Sequence, residues 1–542
     1  TRTTGGGGSG PGGGSGPGGG SGPEATVPPG SGTFGSTAHC VNGKQYDPAL
    51  YAWAPPCLGK WTGNNGGKTA NIGVDSKTIK VVVMRANYGT VVNGALTAAG
   101  SLPSDEEFDG FMRAAETFLN AKYELYGRKV VLKRYQIKHG TGGQGVPDDQ
   151  GLREEMKTMV QNERPFAVIW NTPVSSATFD ELTSLGVLNL GGFGFTDTFN
   201  QQHAPYHWDV QMGGTQMAQT VADWWCTRMW GNGQAKAAYA GNYETQDMRT
   251  RNRALGVIAT NDPENVKTTE QLDAFIKAKC GAAASFGERV YNYDQNVNTA
   301  TEQRRDAVSR MKNANPTATS VMCFCDQVAP FFLYDQQEKD LYYPENLFVA
   351  TGYTDLDSTV QTFDHQLSPD RQADDYPQMQ NAFGLGQFGR QRGRDTDDAA
   401  KVWHLAGGTG TPYKESTAQN DWEYYGLLGY LLQVSGPTLN AANIAKNAQS
   451  APPMTAGNMT DQYANGQRSF GPGDFTWNDS MREIYWSPQG ISEFKKSNNA
   501  NRPGTWRSVN NSKWYLRGQF PGSLLALPPK VTYGTPPLTG RP

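Results

Sequence analysis

From Thr78 to Thr351 the sequence alternates between short runs rich in β-branched residues and longer amphipathic stretches. This order limits the fold more than any other feature, because successive parallel strands need a long crossover and a helix supplies it. "TIKVVVM" (78–84), "KVVLKRYQI" (129–137), "FAVIW" (166–170) and "GVLNL" (186–190) read as strands. Helices are expected over 104–127, 152–161 and 177–185. In the first, Ser104 is placed to cap, and Asp105, Glu106 and Glu107 suit the positive end. Phe108, Phe111, Met112, Ala115 and Leu119 line one face, and Gly127 is placed to end the helix. A second block repeats the pattern. Helix 214–230 precedes strand "AKAAYA" (235–240) and a helix near 246–257. An insertion around 259–285 carries a helix ending at Cys280. Strand 289–293, helix 301–313, strand 319–324, helix 327–338 and strand 346–351 follow. Two blocks of comparable length imply two α/β lobes, which suits a chain of 542 residues.

The flanks read differently. Residues 1–32 repeat a GGGSGP unit, a composition that cannot offset its ordering entropy, and are expected to form a disordered tether. Residues 33–77 are a cysteine-bearing lead-in. An apolar helix is expected over 422–433, and the Pro- and aromatic-rich 451–542 is expected to wrap the second lobe. Basic and acidic residues nearly balance, 48 against 51, with no basic stripe of the kind nucleic acid selects. Mean hydropathy is −0.61 and no apolar run is long enough for a membrane span. Six cysteines, an even count, are compatible with disulfides in an exported protein. Cys40 and Cys57 flank a loop-like stretch and are expected to pair, and after them Cys226 with Cys280. Cys323 and Cys325 fall on one face of an expected strand, where a mutual bond would be strained. Buried thiols or a structural bond are the readings there, and the spacing is not that of a zinc site.

"PFAVIWNTPVSSATF" (165–179) raises the question of function, because a core strand stops in a cluster of hydroxyls. Thr172, Ser175 and Ser176 are candidates for a helix cap, a nucleophile or a ligand cradle. No G-x-S-x-G elbow surrounds them, which removes the nucleophile. Of six histidines only His203 and His207 are close, and Pro205 between them argues against a helical metal face. No dinucleotide or phosphate-loop fingerprint is present, so no cofactor is expected. Ligands of open parallel sheets bind beyond the strands' carboxyl ends. By that rule Asn87, Tyr88 and Thr90, Gly192 and Phe193, Asn242, Tyr243 and Glu244, Asp326, and Tyr353 and Asp355 join the candidate ligand set. Glu244 or Asp326 would meet an ammonium, and Tyr88 and Tyr243 would give apolar walls with a polar tip. Each acid has a plainer reading as a cap or a solvated charge, and Phe193 as core.

"IKVVVMRANYG" and "FDGFMRAAETFLNAKYELYGRKVVLKRYQ", with Asn120-Ala121 and Gly127-Arg128-Lys129, resemble the opening of type I periplasmic binding proteins, including branched-chain amino-acid binding proteins. "PFAVIWNTPVSSAT" resembles the family's hydroxyl-rich loop. "KAAYAGNYETQD" resembles its second-lobe strand and ligand loop, and "DQVAPFFLYDQQEKDLYYPENLFVATGYTD" its later helix, strand and hinge. The likeness spans roughly 78–365. It implies an α/β fold of two doubly wound parallel-sheet lobes joined by a three-crossing hinge. Lobe 1 would be 78–206 plus about 352–405, and lobe 2 would be 207–351 plus about 406–450. It also implies a non-enzymatic solute-binding protein, extracellular or at the cell surface. Such a protein captures a small polar ligand, an amino acid or related carboxylate, and presents it to the membrane permease of an ABC importer. The alternative is a structural or sensory surface protein that keeps the fold without transport. Membrane attachment is expected only through a lipid anchor upstream of Thr1. The chain departs from the family in "GTGGQGVPDDQ", in the 259–285 insertion and in the tail.

Overall fold

The structure is a computed structural model. It describes the chain except residues 1–27, 86, 88–101, 140–147, 171–174, 193, 243–246, 295–298, 327–328, 350, 352–353, 362–376, 456–462, 464, 495–502, 530, 534–537 and 541–542. In the first lobe, β1 (Thr78–Arg85), α1 (Asp105–Lys122), β2 (Lys129–Gln136), α2 (Asp149–Glu163), β3 (Ala167–Ile169), α3 (Ser176–Ser184), β4 (Leu188–Leu190) and β5 (His207–Trp208) follow in turn. The strands form a parallel sheet in the order β2-β1-β3-β4-β5. β1 is apolar from Val81 to Met84 because both its faces are covered there. Ile79, Val81 and Val83 join one core with α1, while Val82 and Met84 join another with α2 and α3. Ser104 and Glu107 complete a reciprocal capping box at the start of α1. The helix stops at Lys122, before Gly127, which instead takes a φ of +80° in the turn into β2.

The second lobe contains α4 (Gly214–Trp224), β6 (Leu255–Thr260), α5 (Pro263–Cys280), β7 (Val290–Tyr293), α6 (Ala300–Asn313), β8 (Ser320–Phe324), α7 (Ala329–Lys339), β9 (Glu345–Phe348) and β10 (Ala382–Gly386). β7-β6-β8-β9-β10 are parallel neighbours, the same winding as in the first lobe. The first strand of this lobe is therefore β6, not the expected 235–240. Residues 235–240 form turns and one bridge, Lys236 to Asn252. Ala237 and Ala240 are buried there without a sheet partner, and alanine spacing imitates a strand. The expected helix near 246–257 gives way to a four-residue 3-10 turn, Asp247–Thr250, and to β6 itself.

After β10 the chain returns to the first lobe as α8 (Asp398–Leu405), α9 (Gln419–Val434) and α10 (Ala441–Ala448). Val402, Trp422, Leu427, Leu431 and Ile444 pack with β1 and α1. This corrects the expected boundaries: 382–386 belongs to the second lobe and 419–448 to the first. The tail is divided as well. Phe470, Phe475 and Trp477 complete the first core together with Tyr51 and Trp53 of the lead-in. Then β11 (Ser480–Ile491), β12 (Pro503–Ser508) and β13 (Trp514–Leu516) extend the second lobe's sheet. β11 runs antiparallel to β10, and β12 and β13 run antiparallel to β11, so that sheet of eight strands is mixed. Met481 and Tyr485 enter one core of the second lobe, and Ile484 and Trp486 the other.

Three crossings join the lobes. They are Val210 to Met212, Leu385 to Phe388, and Trp477 to Met481, the named residues at each end lying in different cores. Gln387 stitches them together. Its Oε1 accepts from the Met212 amide at 2.7 Å and from Asn478 Nδ2 at 3.4 Å. Asp479 sits in the third crossing, where Ser469 donates to it at 2.6 Å. Burial raises its carboxyl to about 7, above the usual carboxylate range. Folding therefore opposes its ionisation. The penalty grows as pH rises from the unfolded value near 4 to the folded value near 7. Asp479→Asn is expected to melt above the wild type at pH 8, with the gap closing towards pH 4. Melting curves of both proteins across that range check this, and a pH-independent gap contradicts it.

The Sγ atoms of Cys40 and Cys57, and of Cys226 and Cys280, lie at bonding distance, with Cα separations of 5.8 and 5.7 Å. The Sγ atoms of Cys323 and Cys325 also lie at bonding distance, with a Cα separation of 5.1 Å.

Candidate ligand-binding site

In each lobe the strand order reverses once, between β1 and β3 and between β6 and β8. α1 and α3 cover opposite faces of the first sheet, as α5 and α7 do of the second. A crevice opens at such reversals beyond the carboxyl ends of the strands. The two mouths face one another. The Ser176 amide, at the start of α3, donates to Asp262 Oδ2, at the start of α5, over 3.4 Å. Nearby, Glu264 Oε2 accepts from the Thr196 amide at 3.3 Å and from the Thr196 hydroxyl.

On the first-lobe side the hydroxyls divide their work. Ser175 is the cap of α3, accepting from the Ala177 amide at 3.3 Å and donating to Asp149 at 2.6 Å. Ser176 is half-buried, and its hydroxyl bonds to no described residue. Asn87 Nδ2 donates to the Lys138 carbonyl at 3.0 Å and so ties the end of β1 to the end of β2. Gly192 has a φ of +122°, and a Cβ there would lie 2.8 Å from His207 Nε2. It is a packing position that only glycine fits. His207 is sealed between the Asn200 Oδ1 and Gly191 carbonyl oxygens, at 2.7 and 2.6 Å. Burial lowers its pKa to about 3, so the ring is neutral.

The second-lobe side differs more from expectation. Asn242 is buried after a turn rather than at a strand end, and its carbonyl accepts from Arg249 at 3.4 Å. The residues at the end of β6 are Asn261, Asp262 and Glu264, absent from the candidate set. A readable signal marks them: a β-branched run, "GVIAT", followed by an Asp cap and Pro263 at the first helical turn. Asp262 caps α5 through the Glu264 amide at 2.9 Å, and burial raises its carboxyl. Asp326 caps α7 through the Ala329 amide at 3.0 Å and accepts from the Tyr293 hydroxyl at 2.7 Å. Asp294, at the end of β7, has a buried Oδ1 with no hydrogen-bond partner among the described residues. Tyr88, Thr90, Thr172, Phe193, Tyr243, Glu244 and Tyr353 lie outside the described residues.

No protein-family model matches the sequence, and a search of curated proteins finds no match. Solved structures do match. A possible leucine/isoleucine/valine-binding protein from Rhodopirellula baltica is 11% identical, with a TM-score of 0.50 over 80% of this chain and 97% of that one. An ABC-transporter substrate-binding protein from Aeropyrum pernix is 11% identical, with a TM-score of 0.51 over 82% and 97%. A solute-binding protein of an ABC transporter from R. palustris, in complex with 4-hydroxybenzoate, is 11% identical, with a TM-score of 0.50 over 81% and 98%. The chain has the type I periplasmic-binding-protein fold. In this fold Asp355 lies at the hinge rather than in the cleft. It is buried, and its Oδ2 accepts from the Gln387 and Phe388 amides at 2.8 and 3.0 Å. Burial raises its carboxyl to about 6. It positions the second crossing of the type I hinge. Among the described residues no group of His, Cys, Asp and Glu could hold a metal ion, and no helix is long and apolar enough to cross a membrane. His203 stacks on Phe199, with ring centroids 3.9 Å apart, and bonds Asp180 at 2.7 Å.

Proposed function

We propose that the chain is an exported solute-binding protein. It takes a small amino acid or related carboxylate between its lobes and presents the closed form to an ABC permease. The observation that carries this reading is the facing pair of helix starts at Ser176 and Asp262. The first presents a free hydroxyl and the positive end of α3, which suit a carboxylate. The second presents the Asp262 carboxyl, which suits an ammonium or a phenol. A ligand touching both favours the closed state by its differential contacts alone. The similar proteins whose names mention branched-chain amino acids or 4-hydroxybenzoate set the panel to try first. A group bonded across the cleft and a hinge of three strands suit capture rather than turnover, so we assign no reaction. Attachment, if the Gly/Ser/Pro repeat serves as a tether, would come from a lipid upstream of it.

Calorimetric titration with amino acids and hydroxybenzoates tests this. One of these classes is expected to bind, and Asp262→Asn with Ser176→Ala is expected to weaken it about tenfold or more. Unchanged affinity in the double variant removes this site. Failure of the whole panel favours the surface structural or sensory reading, which the tail supports because it anchors in the cores of both lobes.

A further inference from the structure

Where the second crossing re-enters the first lobe, the sequence reads "FGRQRGRDTDD" (388–398), with an arginine at every other position from 390 to 394. The segment is held in place by Gln391, which exchanges hydrogen bonds with Ser358 at 2.7 and 2.9 Å. The guanidinium of Arg392 lies 4.6 Å from the Tyr463 ring, and that of Arg394 lies 5.5 Å from the Phe494 ring. Arg394 is 8% exposed, yet its Nε and Nη1 are buried with no hydrogen-bond partner among the described residues. Neither Arg392 nor Arg394 hydrogen-bonds or ion-pairs with a described residue. Among the described residues the buried arginines that form ion pairs, Arg228, Arg253 and Arg468, each meet a buried glutamate. A buried guanidinium donor without an acceptor is costly because it loses its water, and where Arg468 and Arg482 each leave one such nitrogen, Arg394 leaves two. Burial outweighs Glu415, Asp395, Asp397 and Glu107, which favour the charge of Arg394 from beyond ion-pair distance. Burial raises Asp397 to about 8, so it is neutral at pH 7, and Asp398 is raised too and bonds Lys401 at 2.7 Å.

We propose that Arg392 and Arg394 bind an oxyanion, a carboxylate or phosphate group, at the margin of the hinge. A planar guanidinium backed by an aromatic ring presents paired donors that match two oxygens of such a group. The site is separate from the facing helix starts at Ser176 and Asp262. Bound there, an anion ties the strand that leaves the second lobe to the first turn of α8 and so biases the hinge.

Titration calorimetry with inorganic phosphate and with succinate, at ionic strength held constant with sodium chloride, tests the assignment. The wild type and Arg305→Gln, an exposed control, are expected to bind one of the two equally well. Arg394→Gln and Arg392→Gln are each expected to lose about tenfold or more in affinity. Phosphate without succinate assigns the site to phosphate, and the reverse assigns it to a ligand carboxylate. No binding of either, or binding that both variants retain, overturns the proposal. Should Arg394→Gln fail to fold, Arg392→Gln, whose side chain is less buried, decides alone. Amino-acid or hydroxybenzoate binding in the cleft is read separately, so each proposal stands or fails without the other.

Discussion

Arg468→Met is expected to cost about 3–5 kcal/mol of stability, read by urea or guanidinium titration, because it strands a buried carboxylate. Arg468 is fully buried between two indoles, 4.4 Å from the Trp53 ring and 4.8 Å from the Trp477 ring. Its Nη1 donates to Glu423 Oε2 at 2.7 Å and its Nε to Asn478 Oδ1 at 2.9 Å. One side chain thus holds the lead-in, α9 and the tail against one another. Methionine fills much of the same space between the rings but leaves Glu423 charged, with only Tyr51 and Gln419 as donors, at 3.1 and 2.9 Å. Arg468→Met with Glu423→Gln is expected to regain most of the loss, since the stranded charge goes with its partner. A single variant within 1 kcal/mol of the wild type would show that the cation contributes little beyond its volume.

Glu483→Gln is expected to cost a similar amount, about 3–5 kcal/mol, in the second lobe. The Glu483 carboxylate, buried in β11, accepts from Arg228 Nε and Nη2 at 2.7 and 3.0 Å, from Trp224 Nε1 at 3.0 Å and from Asn510 Nδ2 at 3.2 Å. Glutamine turns an NH2 towards at least one of these donors and leaves Arg228 buried without its counter-charge. Glu288→Gln, at an exposed position, is the control and is expected to stay within about 0.5 kcal/mol. Equal stability of the two variants would mean that β11 is a loosely held attachment and not part of the lobe.

These two residues also mark where sequence reading stops. α1 was legible because its signals are local: Ser104 and Glu107 three residues apart, then apolar residues at helical spacing. β1 was legible because four consecutive buried residues, Val81 to Met84, leave no other reading. α9 was legible as a helix but not as part of the first lobe, since a helix buried on every side carries no mark of what surrounds it. β11 was missed altogether. Its Arg482, Glu483, Pro488 and Gly490 break any strand pattern, and its partner β10 lies about 100 residues earlier. At the cleft the rule of strand ends was applied to 235–240, which is not a strand. Applied to Leu255–Thr260, the same rule points to Asp262 in place of Asn242.

The tail's place in both cores sets a timetable for the ribosome. The first lobe waits for Trp477 although its own first strand starts at Thr78, and Tyr51 meets Arg468 across 417 positions. The second lobe waits longer, for Trp514–Leu516. Neither half can finish its interior until the residues up to Trp477 and Leu516, respectively, have been synthesised. Until then the nascent second lobe carries an open sheet edge, and completion is slow because the decisive pairings are distant in sequence.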